Sequence, residues 1–406
     1  MGGFITKNLT IMLTLLLLST SMINIGDAET GTNTIYVDDD NTEGPWLGTK
    51  DQPYCYLDDA LDVAENGNTI FVCNGTYYGK FRVNKSIILQ GEDNRNTFLW
   101  EECFYVVYVY SNDVEISGFT ILGNYSTQSG ICLEATNGHI IKNVSIHDNR
   151  IIHNRAGIQS IRDAVSNIQI YDNEIIGNNY GIYLKEGNLI RIFRNSISGN
   201  RNDGIYISGE NNEIKENLIS YNNENGIRHD GNNITIHQNE ILGNEQDGIQ
   251  CSSSFNGTIS NNLISDNYHG ICFLKNSMGN SIVTRNYLIT NQIGLLADKT
   301  DSDLDIFRNE ISRNEIFGLV IFKKINGEIK ENNFIDNGKD NLKCLLPLIK
   351  RHALFIGIFR FSQSPFDSNY WDNYNGEGNY HIPAIGFFPG LLKDIHPTTS
   401  PYSIEN

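Results

Sequence analysis

An all-β solenoid, a parallel β-helix, is the fold class that this 406-residue sequence predicts. Three observations predict it. A unit of the form I-x-x-N-x-I-x-x-N-x-x-G-I recurs from about Val144 to Asn337. Within each unit apolar residues alternate in pairs, as in Ile205-x-Ile207, which is the period of a strand and not of a helix. All 8 prolines lie at or before Pro53 or at or after Pro347, so every backbone N–H between them can donate to a neighbouring strand.

The first Asn of the unit falls at Asn149, Asn173, Asn195, Asn217, Asn239, Asn262, Asn286, Asn309 and Asn332. Neighbouring members stand about 22 to 24 residues apart, and a period of roughly 20–50 residues marks a repeat architecture. A second Asn follows five positions later each time, from Asn154 to Asn337, and a Gly-Ile or Gly-Leu pair follows that. Helical repeats would need at least ten residues at a 3.6 period, and leucine-rich repeats would need Leu where this chain has Ile. A coil of about 22 residues with three short strands is a β-helix coil, and about twelve such coils are expected. Successive coils lie about 4.8 Å apart, so like positions stack in columns. The nine first-position Asn residues are therefore expected to form an inward ladder, amide to amide and amide to turn backbone. Asn and Gly are expected to supply the left-handed corners between strands.

The rest of the chain divides around that solenoid. Residues 1–28 read as a signal peptide: Lys7 precedes the apolar run Ile11 to Leu18, and Gly26 and Ala28 offer a cleavage site before Glu29. An uncleaved anchor is the other reading of the same residues. Residues 29–66 hold a strand and a helix, since Leu57, Ala60, Leu61 and Ala64 share one helical face that would cover the first coil. The β-helix proper is expected over 67–342, with C-terminal coils and an irregular cap over 343–406. No later stretch is long and apolar enough to span a membrane, because Lys350, Arg351, His352 and Arg360 interrupt Cys344 to Phe361.

The composition narrows the partners. A net charge of −18, with 48 acidic against 30 basic residues and no basic run, disfavours nucleic acid and anionic lipid. Export would make the sequons at Asn74, Asn84, Asn124, Asn143, Asn233 and Asn256 acceptors for glycans. It would also allow disulfides among the 7 cysteines, with Cys55–Cys73 the preferred pair. No metal-ligand spacing occurs in the chain, so no metal site is expected.

The segment from Ile35 to Asp93 (IYVDDDNTEGPWLGTK through IILQGED), the Asn/Gly-Ile repeat, and Asn369-Tyr-Trp-Asp-Asn-Tyr374 with Ile382-Pro383 and Pro397 resemble exported β-helix proteins, many of them archaeal. These are grouped as the NosD-like periplasmic copper-binding family within the pectin-lyase-like superfamily. The resemblance covers nearly all of the chain past residue 28. It implies a right-handed, single-stranded β-helix, an extracytoplasmic or cell-surface setting, and polysaccharide as the commonest substrate class. No lyase motif of the superfamily matches residue by residue.

Candidate chemistry follows from the columns. Two residues after the repeat Gly, an outward file reads Gln159, Tyr183, Tyr206, Arg228, Gln250, Cys272, Leu296 and Val320. A second file contains Lys185, Ser208, Asp230 and Ser252, and Asp203, Asn225 and Asp247 stand just before the Gly. Tyr183, Lys185, Tyr206, Arg228 and Asp230 form the expected ligand-binding face, suited to stacking on sugar rings and bonding their hydroxyls or carboxylates. The same residues also read as ordinary exposed strand side chains, with Arg228 and Asp230 a solvated pair. Asp203, Arg228, Asp230 and Asp247 are the catalytic candidates. Asp203 and Asp247, two coils apart, would lie about 9–10 Å from each other, at the edge of the roughly 6.5–9.5 Å window of inverting glycosidases. In a lyase, Arg228 or Lys185 would act as base and calcium would bind Asp203, Asp230 and Asp247; otherwise no cofactor is expected. His147 and His237 share a column but lie four coils apart, and His229 falls on an inward column.

Three functions compete: an exported protein recognising polysaccharide or another surface glycan, a polysaccharide lyase or glycoside hydrolase, and a copper-handling maturation factor. The first is favoured because the files hold aromatic and amide groups without a converging reactive cluster.

Overall fold

The computed structural model describes residues 34–135, 140–161, 165–252, 256–274, 279–297, 303–321 and 327–338, and, further on, 354–356, 366–372, 374–381, 384–385 and 393–404. Residues 1–28, expected to be a signal peptide, and the Lys343 to Arg351 stretch lie outside them.

Most described coils are three strands, two of which run together in some, and all but one of the pairings between described strands are parallel. One face stacks thirteen short strands, from Gly75–Tyr78 to Tyr370–Trp371. The other two faces merge into a 25-stranded sheet, because the bend between them is shallow enough for strands such as Ile205–Lys215 and Ile227–His237 to run through it. Register is kept from coil to coil: Ile205 faces Ile227, which faces Ile249, which faces Ile271. The inward columns are nearly all Ile and fully buried; Ile175, Ile197, Ile219, Ile241 and Ile264 form one such file. Each buried side chain of this size contributes about 2 kcal/mol of hydrophobic stabilisation.

Two corners per coil carry the Asn ladders. Asn195 Nδ2 donates to the carbonyl oxygen of Phe193, two residues back (3.1 Å), to Ile170 of the preceding coil (2.8 Å) and to Asn217 Oδ1 of the next (3.0 Å). Asn195 N also donates to Asn217 Oδ1, at 3.0 Å. The pattern repeats without a break from Asn149 through Asn173, Asn217, Asn239, Asn262, Asn286, Asn309 and Asn332. A parallel ladder runs from Asn154 to Asn337.

The left-handed residue is the one before each ladder Asn. On the second ladder Gly177, Gly199 and Gly243 supply it, as expected. On the first ladder other residues mostly do: Asp148, Asp172, Arg194, Glu216, Gln238, Asn261, Arg285, Arg308 and Glu331 have φ between 53° and 56°. The Asn itself closes the turn from its far side by bonding the carbonyl at i−2, so an ordinary side chain can be held in the left-handed region. Gly of the Gly-Ile pair has another reason to be glycine. A Cβ on Gly226 would stand 2.7 Å from Gly248 O and 2.7 Å from Ile241 Cγ2; close approach of coils excludes a side chain there.

At the N-terminal end, strand Thr34–Val37 pairs with Thr69–Val72, and helix α1 (Leu57–Val63) buries Leu57, Ala60 and Leu61. Lys85 Nζ donates to the carbonyls of Leu61 and Asp62 (2.7 and 2.8 Å), placing a cation at the negative end of that helix. The Cys55–Cys73 bridge is not formed, and both are thiols. The chain at Tyr54 bridges one side of Val37, and Val72 pairs on the other. The edge of strand Thr34–Val37 thus separates the two cysteines. At the C-terminal end Trp371 stacks on Phe334 (4.5 Å) and on Tyr380 (4.7 Å). Leu354–Ile356 pairs with Phe317–Ile321, so coil pairing continues past residue 343. Among the described residues no helix is long and apolar enough to cross a membrane.

Candidate functional site

The outward file and the residues just before the repeat Gly converge on one face of the merged sheet. Tyr183 pairs with Tyr206, Tyr206 with Arg228, Arg228 with Gln250, and Gln250 with Cys272. Alternation along each strand dictates this, because the flanking Ile residues turn inward.

The aromatic part is not the open platform that the sequence suggests. The Tyr183 and Tyr206 rings stack on each other, with centroids 4.7 Å apart and planes at 22°. Lys185 Nζ lies 5.4 Å from the centre of Tyr183, and the Arg228 guanidinium 5.4 Å from that of Tyr206. Side chains in one file repeat at the coil spacing, close to the stacking distance of two rings, so the ring faces cover one another. Ring edges and hydroxyls remain for a ligand. Tyr206 donates its hydroxyl to Asp230 Oδ2 (3.0 Å), and Arg228 Nη2 lies 3.9 Å from the same oxygen. Burial, the nearby Asp230 carboxylate and the hydrogen bond to it push the Tyr206 phenol up to about 12. Lys185 is exposed and Arg228 half-buried, with its Nε buried and without a hydrogen-bond partner.

Asp203, Asn225 and Asp247 are buried, and they form a third ladder. Asp203 Oδ1 accepts from Asn225 N (3.1 Å) and Nδ2 (2.8 Å). Asn225 Oδ1 accepts from Asp247 N and Gln250 Nε2, both at 3.2 Å. Gln250 Nε2 also donates to Asp247 Oδ2 (2.8 Å), while Asp247 Oδ1 meets His269 Nδ1 at 2.6 Å. Burial raises the Asp203 carboxyl above the usual carboxylate range, against the opposing bonds from Asn225 and the Arg228 charge.

Of the four catalytic candidates, Arg228 and Asp230 are therefore engaged with each other and with Tyr206, and Asp247 with Gln250 and His269. Asp203 carries a carboxyl shifted toward the protonated form. Of the proposed calcium ligands Asp203, Asp230 and Asp247, Asp230 stands in a different file from the other two and accepts from Tyr206. Sequence spacing placed Cys272 in the outward file but missed His269. His269 occupies the column of Asp203 and Asp247, and with Cys272 it reaches Asp247: one ligand atom from each of the three lies within 4.8 Å of the others. The signal was the repeat register itself, which sets His269 one coil after Asp247. His229 is fully buried on the Ile207–Cys251 column, and burial lowers it to about 4. All six sequon asparagines are exposed.

Comparisons with solved structures give the fold. The A-module of Azotobacter vinelandii mannuronan C-5 epimerase AlgE4 is similar over 74% of this chain and 94% of its own, with a TM-score of 0.57 and 16% identity. The catalytic unit of a GH87 α-1,3-glucanase from Streptomyces thermodiastaticus matches over 90% of this chain and 68% of its own, with a TM-score of 0.57 and 13% identity. DFA-IIIase from Arthrobacter chlorophenolicus without its lid matches over 82% and 94%, with a TM-score of 0.55 and 10% identity. Among curated proteins none matches in sequence. The family model described as right handed beta helix region matches residues 105–255, 163–306 and 229–345, more than half of the chain, and this protein belongs to that family.

Proposed function

We propose that this protein is an exported β-helix protein that binds a hydroxyl-rich polysaccharide along the face carrying Tyr183, Tyr206, Arg228 and Gln250. One observation carries the reading: these four half-buried polar side chains stand one per coil in unbroken register, backed by the buried Asp203–Asn225–Asp247 ladder. Such a file offers a linear polymer the same kind of contact at each step, through amide, guanidinium and phenol groups and not through open ring faces. The similar folds of a mannuronan C-5 epimerase and an α-1,3-glucanase add weight to a carbohydrate partner. The leader-like start of the chain and the exposed sequons add weight to export.

A glycan array followed by affinity electrophoresis tests the reading. Arg228→Ala and Gln250→Ala should each weaken retention of the array hit, while Tyr221→Ala on another face should leave it unchanged. Equal retention by all three variants would remove this face as the binding site.

Asp203 favours a second reading, cleavage of the bound glycan with Asp203 as proton donor, because burial shifts its carboxyl in the direction a general acid needs. Release of reducing ends or of unsaturated, ultraviolet-absorbing product from the bound polymer, abolished in Asp203→Ala, would establish it.

A further inference from the structure

We propose that Asp247, His269 and Cys272 form a mononuclear site for a divalent transition-metal ion of the zinc type, with one coordination position left open. The proposal stands apart from glycan binding.

The three residues come together through register alone. Asp247 opens strand Asp247–Ser252, and His269 and Cys272 lie on the next coil's strand His269–Phe273. Asp247 pairs with His269, and Gln250 with Cys272. Neither His269 nor Cys272 is on an inward column. Their equivalents in the preceding coils are Asp203, Asn225 and Asp247 for the histidine, and Tyr206, Arg228 and Gln250 for the cysteine. In the following coils the file continues as Leu296 and Val320, and Cys272 is 1% exposed, so the thiol stands where the file passes from polar to apolar.

The donor set is one thiolate, one imidazole and one carboxylate. Three protein ligands with a vacant fourth position is the pattern of reactive zinc sites. Sulfur and nitrogen donors select zinc-like ions over calcium and magnesium, which demand oxygen. In a tetrahedral site the donors stand about 3.5 Å apart. Here the Asp247 and His269 atoms already meet at 2.6 Å and all three donors lie within 4.8 Å, so side-chain adjustment suffices. The outer shell is built as well. Gln250 holds the second oxygen of Asp247, and Asn225 holds both Gln250 Nε2 and the Asp247 N–H. The Tyr268 ring packs edge-on against His269 at 4.6 Å. Such partners orient ligands before the ion arrives. Binding displaces the thiol proton of Cys272 and requires the His269 tautomer that leaves Nδ1 free, so a proton is released and affinity rises with pH.

The test is titration of the metal-stripped full chain with Co2+ alone. One equivalent should bring up visible d–d bands and an ultraviolet thiolate-to-cobalt charge-transfer band, and Zn2+ should abolish both. Cys272→Ser should lose the charge-transfer band, and His269→Ala and Asp247→Asn should each weaken binding at least tenfold. Because Asp247→Asn keeps an oxygen to accept from His269, it separates loss of a ligand from loss of fold. Added Zn2+ should raise the thermal midpoint of the wild-type chain and not that of His269→Ala. Absence of the charge-transfer band in the wild type, its persistence in Cys272→Ser, or binding unchanged in Asp247→Asn would overturn the proposal.

Discussion

Asn369 donates both its backbone N–H and its Nδ2 to a single oxygen of Asp394, at 2.9 Å each. Every earlier ladder Asn donates the same two hydrogens to the next Asn, so the column has a direction and needs a terminal acceptor that gives nothing back. A carboxylate is that group. Trp371 Nε1 donates to the same oxygen (3.0 Å), which ties the last ring of the core to the end of the ladder.

Asp394→Ala should strand three buried donors and cost about 2–5 kcal/mol. The solenoid is stabilised coil by coil, so the loss should appear first as faster hydrogen exchange in Asn333–Ile335 and Tyr370–Trp371. Exchange in Ser196–Ser198 should be unaffected. Uniformly faster exchange along the whole chain would contradict the capping role.

Asn217→Ala removes the donor to Ile192, Lys215 and Asn239 and the acceptor for Asn195. We expect a loss of about 3–5 kcal/mol in denaturant unfolding, against less than about 0.5 kcal/mol for the exposed Asn223→Ala.

Gly226→Ala should destabilise the fold, because both nearest obstacles, Gly248 O and Ile241 Cγ2, sit at 2.7 Å and one is backbone. A loss of about 2–4 kcal/mol in urea unfolding is expected, by the cost of overpacking. A neutral result would mean that the coils can separate there.

His229 gives the fold an acid limit. Its pKa falls from the ordinary 6.5 to about 4 on burial, so its contribution is complete above the unfolded value and is lost as pH falls toward the folded one. About 3 kcal/mol is at stake. His229→Leu should flatten the fall in thermal midpoint between about pH 6.5 and 4.

Asp203 acts with the opposite sign. Burial raises its carboxyl, so its favourable contribution holds at low pH and is lost as pH rises through the folded value. Asp203→Asn keeps an oxygen for both Asn225 donors, and should be more stable than wild type at pH 7 and equal to it in acid. Thermal midpoints at the two pH values decide this.

The period, the strand character, the inward Ile columns and the ladder positions were legible in the sequence, because stacked coils require like residues at like places. Pairing of His269 and Cys272 with Asp247 was legible only in principle. It depends on counting one full repeat in register between residue types that carry no pattern of their own. The use of ring faces at Tyr183 and Tyr206 was not legible at all, since alternation gives the side of the sheet and not the tilt of a ring.

By itself, then, the sequence determined a stack of parallel coils held by Ile and Asn, since repetition turns every local preference into a column. Tertiary structure alone decided which residue at each corner adopts the left-handed backbone. It also decided that the repeat Gly answers to the next coil's carbonyl, and that Asp394 closes the ladder from beyond the repeat. The physical reason is distance. Columns are set by backbone spacing that every coil shares, whereas caps, clashes and ring stacking depend on contacts between residues that no periodicity relates.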